Sequence, residues 1–294
     1  MYQYHELLID ILEYGELDRP DRTGTGTQSI FGAHIEVPLY EGFPLVTTKS
    51  ISFDSVASEL LWFLEGSTDE RRLAELRYGL PREELIAKKT IWTDNANSQG
   101  IGLGLENTPT VKELGPVYGA QWRTWPKYKD QFNRVQPIDQ IANLVKSLKE
   151  DPFSRRHIVS AWNVAELDEM ALPPCHLLSQ FYVTGDLELS CIVTQRSADV
   201  FLGVPYNIAS YALLVHMLAH VTGLGVGTLR INFGDAHIYN NHADQVQEQL
   251  SREPKSLPKL TINRQVPSIF DFKFSDFELS GYDPYPPLKG KMAV

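Results

Sequence analysis

Apolar residues recur along this chain with two different periods, and each period predicts a different kind of element. Apolar positions three to four residues apart predict helices with one buried face or more. They predict helices over residues 5–16, 52–65, 139–149 and 206–222. The last of these is apolar nearly all round and is followed by Gly223, so a helix buried at the centre of the fold is expected there.

Alternating and β-branched runs predict the strands. They predict strands over residues 29–37, 157–162, 179–184, 188–194, 229–233 and 259–262. Strands and helices do not alternate regularly enough for a doubly wound parallel sheet. The pattern therefore predicts an α+β fold, with helices packed on a mixed β-sheet.

The chain shows no sign of division into separate domains. It has no internal repeat, no low-complexity tract and no long linker of Pro, Gly or Ser. We therefore predict a single domain over residues 1–294. Residues from about 77 to 110 are more polar and irregular, which indicates a variable insertion of short helix and loop around Trp92.

Composition narrows the classes of protein. Of 294 residues, 43% are hydrophobic and 22% charged, which is typical of a globular protein with a sizeable core. The net charge of −10 disfavours a dedicated nucleic-acid partner but leaves room for a small anionic ligand held by local arginines. The acidic N-terminal segment does not fit a signal peptide, and no stretch is apolar enough for a membrane, so a cytoplasmic location is expected.

The two cysteines, Cys175 and Cys191, are too few for a disulfide framework or a cysteine zinc site, and no metal is expected. Cys191 lies in the middle of a predicted strand, as buried structural cysteines do. Cys175 follows two prolines at a strand entry and precedes His176, a rigid position that suits a reactive thiol. These local features leave a nucleophile and an inert residue both open.

Arginines at the boundaries of strands and loops point to a phosphate. The candidates are Arg22, Arg155, Arg156 and Arg196, the last followed by Ser197. Guanidinium forks combined with a hydroxyl or loop amides are suited to phosphate binding. Taken singly, each arginine would equally suit a surface ion pair.

Glu59 lies in an otherwise apolar helical stretch, where an unpaired buried carboxylate would be costly. A helix-surface acid is one interpretation, because neighbouring helical positions face different ways. A buried general acid or base that works through water is the other. The sequence leaves both open.

Taken together, the motifs closely resemble the thymidylate synthase family, in the family order and over nearly the whole chain. The matching segments are DRTGTGT at 21–27, FPLVTTK at 43–49, ELLWFL at 59–64, LGPVYG at 114–119, SRR at 154–156, PCH at 174–176, QRSAD at 195–199, NIASY at 207–211, GDAHIY at 234–239 and MAV at 292–294. No single segment would suffice alone. The resemblance implies the same α+β domain and a defined mechanism.

In the implied mechanism, Cys175 attacks C6 of dUMP, and C5 then accepts the one-carbon unit of 5,10-methylenetetrahydrofolate. Tyr118 would assist removal of the C5 proton, and Glu59 would organise water and protons around O4. Asn207 would read O4 and N3 of the pyrimidine. His176, beside the nucleophile, completes the catalytic set.

The resemblance also implies the binding residues. Those for dUMP are Arg22, Arg155, Arg156, Arg196, Ser197, Asp199, Asn207, His237 and Tyr239, the last two at the sugar 3′-hydroxyl. Those for the reduced folate are Lys49, Trp92, Asp199 and Val294, whose carboxylate would help to close the site. Arg155 and Arg156 would come from a partner subunit, so a homodimer with shared sites is expected.

The chain departs from the family pattern at a few places. After Lys49 the sequence reads Ser50-Ile51-Ser52, where relatives often have a basic residue followed by a folate contact. Thr194 stands where tyrosine is common, and Ala198 replaces cysteine or glycine. Residues 77–89 and 100–112 are longer than in compact relatives.

Two other functions remain to be compared. A dUMP hydroxymethylase shares every step up to the exocyclic methylene intermediate and then adds water in place of hydride. Asn207 favours uracil over cytosine, and Trp92 with the Ala293-Val294 ending favours the synthase, whereas Ser50 and Ser52 favour the hydroxymethylase. A non-catalytic nucleotide- or RNA-binding protein on the same scaffold fits poorly with the retained catalytic set and the acidic charge.

Overall fold

The computed structural model describes residues 1–21, 23–126 and 136–292. Its α-helices are α1 (Tyr2–Tyr14), α2 (Phe53–Glu65), α3 (Glu70–Tyr78), α4 (Thr93–Asn95), α5 (Tyr118–Thr124), α6 (Gln140–Glu150), α7 (Val204–Thr222) and α8 (Ala243–Leu250). Its strands are β1 (Glu16–Arg19), β2 (Thr27–Pro38), β3 (Ile158–Ser160), β4 (His176–Val183), β5 (Glu188–Asp199), β6 (Gly225–Tyr239), β7 (Lys259–Ile262) and β8 (Phe277–Ser280).

The main sheet is mixed, which confirms the α+β prediction. Within the described residues it has six strands in the order β1-β2-β6-β5-β4-β3. Strands β5 and β6 run parallel, and the other neighbouring pairs run antiparallel. Strands β7 and β8 pair with each other in a separate small sheet.

Helix α7 forms the centre of the core, as its all-round apolar pattern predicts. It packs against α2, β5 and β6. It ends at Gly223, whose φ of +75° suits a residue without a Cβ atom. Helix α2 is closed at both ends, by Ser52, whose side chain accepts a hydrogen bond from the Ser55 N–H, and by left-handed Gly66. None of the helices in the described ranges is long and apolar enough to cross a membrane.

Several predicted element ends are wrong, and the reason is the same in each case. The first helix ends at Tyr14 rather than residue 16, because Glu16 already pairs with Ser29 in β1. The strand predicted over 157–162 spans only Ile158–Ser160, whereas β4, β5 and β6 are each longer than predicted. Hydrogen bonding to a neighbouring strand decides where a strand ends, and side-chain alternation does not reveal it.

Five elements were not predicted at all. They are β1, β8, α3, α5 and α8, which are short or polar. Helix α3, with the sequence ERRLAELRY, gains from Asp69, whose side chain accepts a hydrogen bond from the N–H of Arg71, and from left-handed Gly79. Caps and tertiary contacts of this kind stabilise a helix that lacks a clear apolar stripe.

One end of the main sheet gathers the motif residues. The first residues of β2 and β4 lie there, together with the last residues of β5 and β6. The register aligns three pairs at this end: His176 with Gln195, Ser197 with Asp235, and Asp199 with His237. The fold thereby brings segments more than 60 positions apart in the chain to one edge.

Candidate active site

Cys175 lies immediately before β4, and side chains from other elements hold its backbone. The hydroxyl oxygen of Tyr118 accepts hydrogen bonds from the N–H groups of Cys175 (2.8 Å) and His176 (3.2 Å). The carbonyl of Cys175 accepts a hydrogen bond from the N–H of Arg196 at 2.9 Å. Cys175 is thus a free, half-buried cysteine on a rigidly held backbone.

Arg196 supplies the positive charge beside the thiol. Its guanidinium donates from Nε to the carbonyl of Pro174 and from Nη2 to the carbonyl of Pro173, both at 2.9 Å. Burial raises the pKa of the Cys175 thiol, and the Arg196 guanidinium opposes that rise by favouring the thiolate. The two prolines therefore orient the charge as well as stiffening the chain.

His176 is a neutral neighbour of Cys175. Burial lowers its pKa to about 4, against which a hydrogen bond with the side chain of Asn207 acts weakly. Its ring centroid lies 5.3 Å from the rings of both Tyr118 and Tyr211. His176 thus supports Asn207 and does not provide a charge to the thiol at neutral pH.

Asn207 is held from a second side by Gln195, which was not among the predicted site residues. The Nδ2 of Asn207 donates to the Oε1 of Gln195 at 3.4 Å. The Nε2 of Gln195 is buried and has no hydrogen-bond partner among the described residues. A glutamine at an inward-facing position of an otherwise apolar alternating strand is the signal that could have identified it.

The structure favours the buried-acid interpretation of Glu59. The indole Nε1 of Trp92 donates to its Oε1 at 2.7 Å. Burial raises the pKa of Glu59 to about 7, and the hydrogen bond from Trp92 acts in the opposite direction. A carboxyl with a pKa near neutrality can both give and take a proton at physiological pH.

Aromatic rings connect Glu59 with Cys175. The ring of Trp92 lies 6.1 Å from that of Tyr118 at an interplanar angle of 75°. Burial raises the pKa of the Tyr118 hydroxyl, and the nearby Cys175 and Glu59 raise it further, so the phenol stays protonated. Glu59, Trp92, Tyr118 and Cys175 therefore form one continuous group.

A second group lies at the ends of β5 and β6. Asp235 contacts the Nδ1 of His237 at 2.9 Å and accepts a short hydrogen bond from Arg19. The hydrogen bond with His237 holds the pKa of Asp235 below its usual range, and Arg19 adds to the effect. The rings of His237 and Tyr239 lie 5.1 Å apart. Arg19 and Asp235, which orient His237, were not predicted.

Lys49, which was expected to contact the folate, is buried inside the protein. Its amine donates a short hydrogen bond to the carbonyl of Phe201 and lies 3.6 Å from the centre of that ring. Burial lowers the pKa of Lys49 to about 7, while Asp199 raises it. Asp199 itself accepts a hydrogen bond from the N–H of Leu202 at 2.9 Å. The amine of Lys49 is engaged inside the protein, and its contact with a folate stays a prediction.

Arg155 and Arg156 are not brought to Cys175. Both are exposed and precede β3, whose register pairs Ile158 with Gln180. Arg156 is therefore level with Tyr182, about seven residues along β4 from Cys175, or roughly 23 Å at the usual rise per residue. Two further predicted site residues, Arg22 and Val294, lie outside the described residues.

The arrangement combines a thiol, an acid with a pKa near neutrality, a carboxamide and a phenol. This set suits covalent attack on an electron-poor ring carbon with assisted proton transfer. Arg196 and Ser197 are adjacent and half-buried on β5, and their joint contact with an anionic group of the same molecule stays a prediction. In the described part of the chain, no group of three His, Cys, Asp or Glu is placed to hold a metal ion, and the expected absence of a metal stays a prediction.

Comparison with protein families gives a match that covers nearly the whole chain. The family model described as thymidylate synthase matches residues 2–294. The match includes every residue of both groups described above, from Arg19 to Tyr239. It also includes the positions of Arg22 and Val294.

Proposed function

This chain belongs to the thymidylate synthase family, and we propose that it catalyses the reductive methylation of dUMP to dTMP. The family consists of one-carbon transferases that use methylenetetrahydrofolate as co-substrate. The observation that carries the proposal is the position of Cys175. Its backbone is held by Tyr118 and Arg196, and it lies in one group with an acid whose pKa is about 7.

In the proposed first step, the sulfur of Cys175 bonds to C6 of the pyrimidine, and the C5–C6 π electrons move toward C5 and O4. Arg196 favours the thiolate that makes this attack. Glu59 is near its pKa at neutral pH, so it can supply a proton toward O4 through water and later take it back. The added electron density makes C5 the carbon that accepts the one-carbon unit.

Asn207 is the proposed reader of the pyrimidine. A carboxamide offers one donor and one acceptor, which complement the O4 and N3–H of uracil. Gln195 and His176 hold the Asn207 side chain from two directions. A group fixed in this way discriminates better than a freely rotating one, because a mismatched ring would leave buried polar atoms unpaired.

Tyr118 is proposed to assist loss of the C5 proton. Its oxygen already accepts two backbone N–H groups, and its own O–H hydrogen is left to donate. Because the phenol stays protonated, it acts as a hydrogen-bond donor that orders a water or a passing base. His237 and Tyr239 are proposed to bind the sugar 3′-hydroxyl, with His237 oriented by Asp235.

The proposed phosphate site draws on two subunits. Arg22, Arg196 and Ser197 would come from one chain, and Arg155 and Arg156 from the partner. The distance of Arg155 and Arg156 from Cys175 in the same chain supports this division. The outer face of the sheet also supports it. Ile158 on β3 and Ile192 on β5 pair with the same residue of β4, Gln180, and 46% and 40% of their respective surfaces are exposed to solvent. We therefore propose a homodimer that packs through this face.

The folate supplies both the carbon and the hydride of the reaction when it is bound. Trp92 belongs to a wall of aromatic rings that includes Phe63 and Tyr118, and such a wall fits a flat, fused ring system. Trp92 would pack against the folate, Asp199 would accept a hydrogen bond from it, and Lys49 and Val294 would act near its tail.

A dUMP hydroxymethylase remains the alternative, since it would use the same residues up to the last step. Of the two serines that favour it, Ser52 has a structural role, because its hydroxyl accepts hydrogen bonds from the Ser55 N–H and from Arg77. Ser50 is exposed. The observation on Ser52 supports the synthase.

Identification of both products tests the proposal. The protein is incubated with dUMP and 5,10-methylenetetrahydrofolate, and the nucleotide and the folate are identified by mass spectrometry. We expect dTMP with dihydrofolate. A yield of 5-hydroxymethyl-dUMP with tetrahydrofolate would assign the hydroxymethylase instead.

A further inference from the structure

A charged pair is completely buried in the first turn of α3. Glu70 and Arg71 each have 0% of their side-chain surface exposed. The Arg71 guanidinium donates from Nε to Oε2 of Glu70 at 2.6 Å and from Nη2 to Oε1 at 2.7 Å. The pair lies outside the site described above and does not contact Cys175.

The remaining hydrogen bonds of the pair go to one nearby segment. Arg71 donates to the carbonyls of Leu85 (2.8 Å) and Lys88 (3.1 Å). The Oε1 of Glu70 accepts hydrogen bonds from the hydroxyls of Thr90 (2.7 Å) and Thr93 (2.6 Å). Four bonds thus tie residues 85–93 to the start of α3.

The middle of this segment packs weakly against the rest of the protein, because none of residues 86–91 is buried. Its two ends are anchored by apolar packing: Leu85 is buried, and Trp92 packs against Trp62 and Phe63. The bonds to the buried pair, with one from the Tyr78 hydroxyl to the segment, therefore fix the exposed turn between these ends.

The two threonines flank the residue that reaches the site. Thr90 and Thr93 lie on either side of Trp92, and the Trp92 N–H donates to Oγ1 of Thr90 at 3.2 Å. The Thr90 N–H donates to Oγ1 of Thr93 at 2.8 Å, which closes the turn. The indole of Trp92 then donates to Glu59.

We propose that Glu70 and Arg71 are positioning residues for the reaction: they fix residues 85–93 so that Trp92 keeps its hydrogen bond to Glu59. The catalytic part of this role rests on the function proposed above, in which Glu59 transfers protons. The geometric part, from the ion pair through Thr93 to Trp92, does not depend on the substrate.

Energetics favour positioning over stability as the reason for the pair. Replacing a buried ion pair by apolar residues of similar volume is often neutral or stabilising, because the desolvation of two charges offsets their attraction. What apolar side chains cannot provide is four directional bonds to the carbonyls and hydroxyls of a neighbouring turn. The pair therefore selects one conformation of residues 85–93.

The mildest test removes one hydroxyl. Thr93→Val deletes both bonds of this hydroxyl at constant volume, the one to Glu70 and the one from the Thr90 N–H, and Thr93→Ser keeps both as the matched control. The pKa of Glu59 is followed by ¹³C NMR of its labelled carboxyl, assigned with Glu59→Gln, in the protein without substrate. The Trp92 bond lowers this pKa, so its loosening in Thr93→Val should raise the value above about 7, while Thr93→Ser stays as wild type.

The neighbours of Glu59 do not confuse this measurement. Among the residues that the structure describes, the titratable groups that interact with it are Tyr118 on α5 and Tyr211 on α7, and burial raises the pKa of both hydroxyls. Both stay neutral over the range in which Glu59 titrates. A displaced titration therefore reports the contact with Trp92.

The second test replaces the pair itself with Glu70→Leu and Arg71→Met together. We expect a folded protein with unchanged thermal midpoint, kcat reduced about fivefold or more, and a pH profile displaced upward. The control is Glu65→Gln with Arg72→Met, which removes the exposed pair on the neighbouring helix surface that joins Arg72 Nε to Glu65 at 2.7 Å. It should leave kcat and the profile unchanged.

The outcomes separate the two proposals. An unaltered Glu59 titration in Thr93→Val, or an unaltered profile in the folded double variant, would overturn the positioning role. If the products of turnover contradict the proposed reaction while Thr93→Val still shifts the titration, the function is wrong and the positioning role stands. If the double variant does not fold, the Glu59 titrations of Thr93→Val and Thr93→Ser alone decide whether the positioning role stands.

Discussion

Cys191 lies within β5 and Cys175 lies immediately before the neighbouring strand β4, yet their surroundings differ in nearly every respect. Cys191 lies in the middle of β5, paired in register with Phe181 and Leu229, and is 2% exposed. Burial alone raises the pKa of its thiol far above the usual range. Cys175 lies at the entry of β4, is partly exposed, and has the Arg196 guanidinium to favour its thiolate.

The difference shows how a sheet can hold a reactive residue without burying it. Inside a strand, a ladder of hydrogen bonds to the neighbouring strands holds the backbone. Because successive side chains point to opposite faces of the sheet, each one is fixed either in the core or outside it. At the strand entry, Tyr118 and Arg196 take over the role of the ladder, since they bond the N–H and the carbonyl of Cys175. The backbone is then as fixed as in the ladder, while the sulfur keeps access to a ligand.

Replacing each cysteine in turn gives the largest expected contrast. Cys175→Ala removes the nucleophile, so kcat should fall by at least about 10⁴-fold while dUMP binding persists. Cys191→Ala should keep kcat within about threefold and lower the free energy of unfolding by about 1–2 kcal/mol through lost packing. Turnover, calorimetric dUMP binding and urea unfolding check these values. Turnover by Cys175→Ala would show that the covalent mechanism is wrong.

Removing the charge beside Cys175 should make the two thiols more alike. In Arg196→Met the thiolate loses its partner, so the pKa of Cys175 rises further and kcat/KM falls by about 10²-fold or more. The rate of iodoacetamide alkylation against pH, measured in a Cys191→Ala background, reports Cys175 by itself. We expect the profile to move to higher pH. An unmoved profile would mean that Arg196 does not act on the thiol.

The last expected effect is on stability and concerns Glu59. Burial raises its folded pKa to about 7, so its favourable contribution is complete below its unfolded pKa and is lost as pH rises through about 7. Glu59→Gln should therefore gain about 3 kcal/mol of stability relative to wild type between pH 4.5 and pH 8. The cost of Cys191→Ala, where no charge is involved, should stay constant over that range. A flat difference for Glu59→Gln would place the Glu59 carboxyl in water.

Sequence reasoning identified most of the chemical groups but few of their partners. Cys175, Tyr118, Glu59 and Asn207 stand in motifs that the chain shares with its family, whereas Trp92 stands in the segment interpreted as an insertion. The structure brings Glu59, Trp92, Tyr118 and Cys175 into one group, and His176 links Asn207 to it. Gln195, Arg19 and Asp235 were missed as site residues. Their roles come from the side chains they touch across the sheet, and no local pattern reports such contacts.

The same limit explains the residues that were interpreted differently. His176 directly follows Cys175 in the sequence, and only the fold shows that burial between Tyr118 and Tyr211 keeps it neutral. Lys49 lies in a matching motif, and only the fold shows its amine against Phe201. Glu59 left two interpretations open until the indole of Trp92 was seen to donate to it.

The sequence by itself determined the fold class, the core helix α7 and the order of the motifs, and it indicated Cys175 as the candidate nucleophile. Apolar periodicity and short motifs are local properties, and the chain carries them before it folds. Only the tertiary structure decided where strands end, which charge faces Cys175, what protonation state His176 and Glu59 adopt, and that Glu70 and Arg71 hold the turn of Trp92. Those features depend on burial and on atoms from distant segments meeting within a few ångströms, and burial and distance exist only in the folded chain.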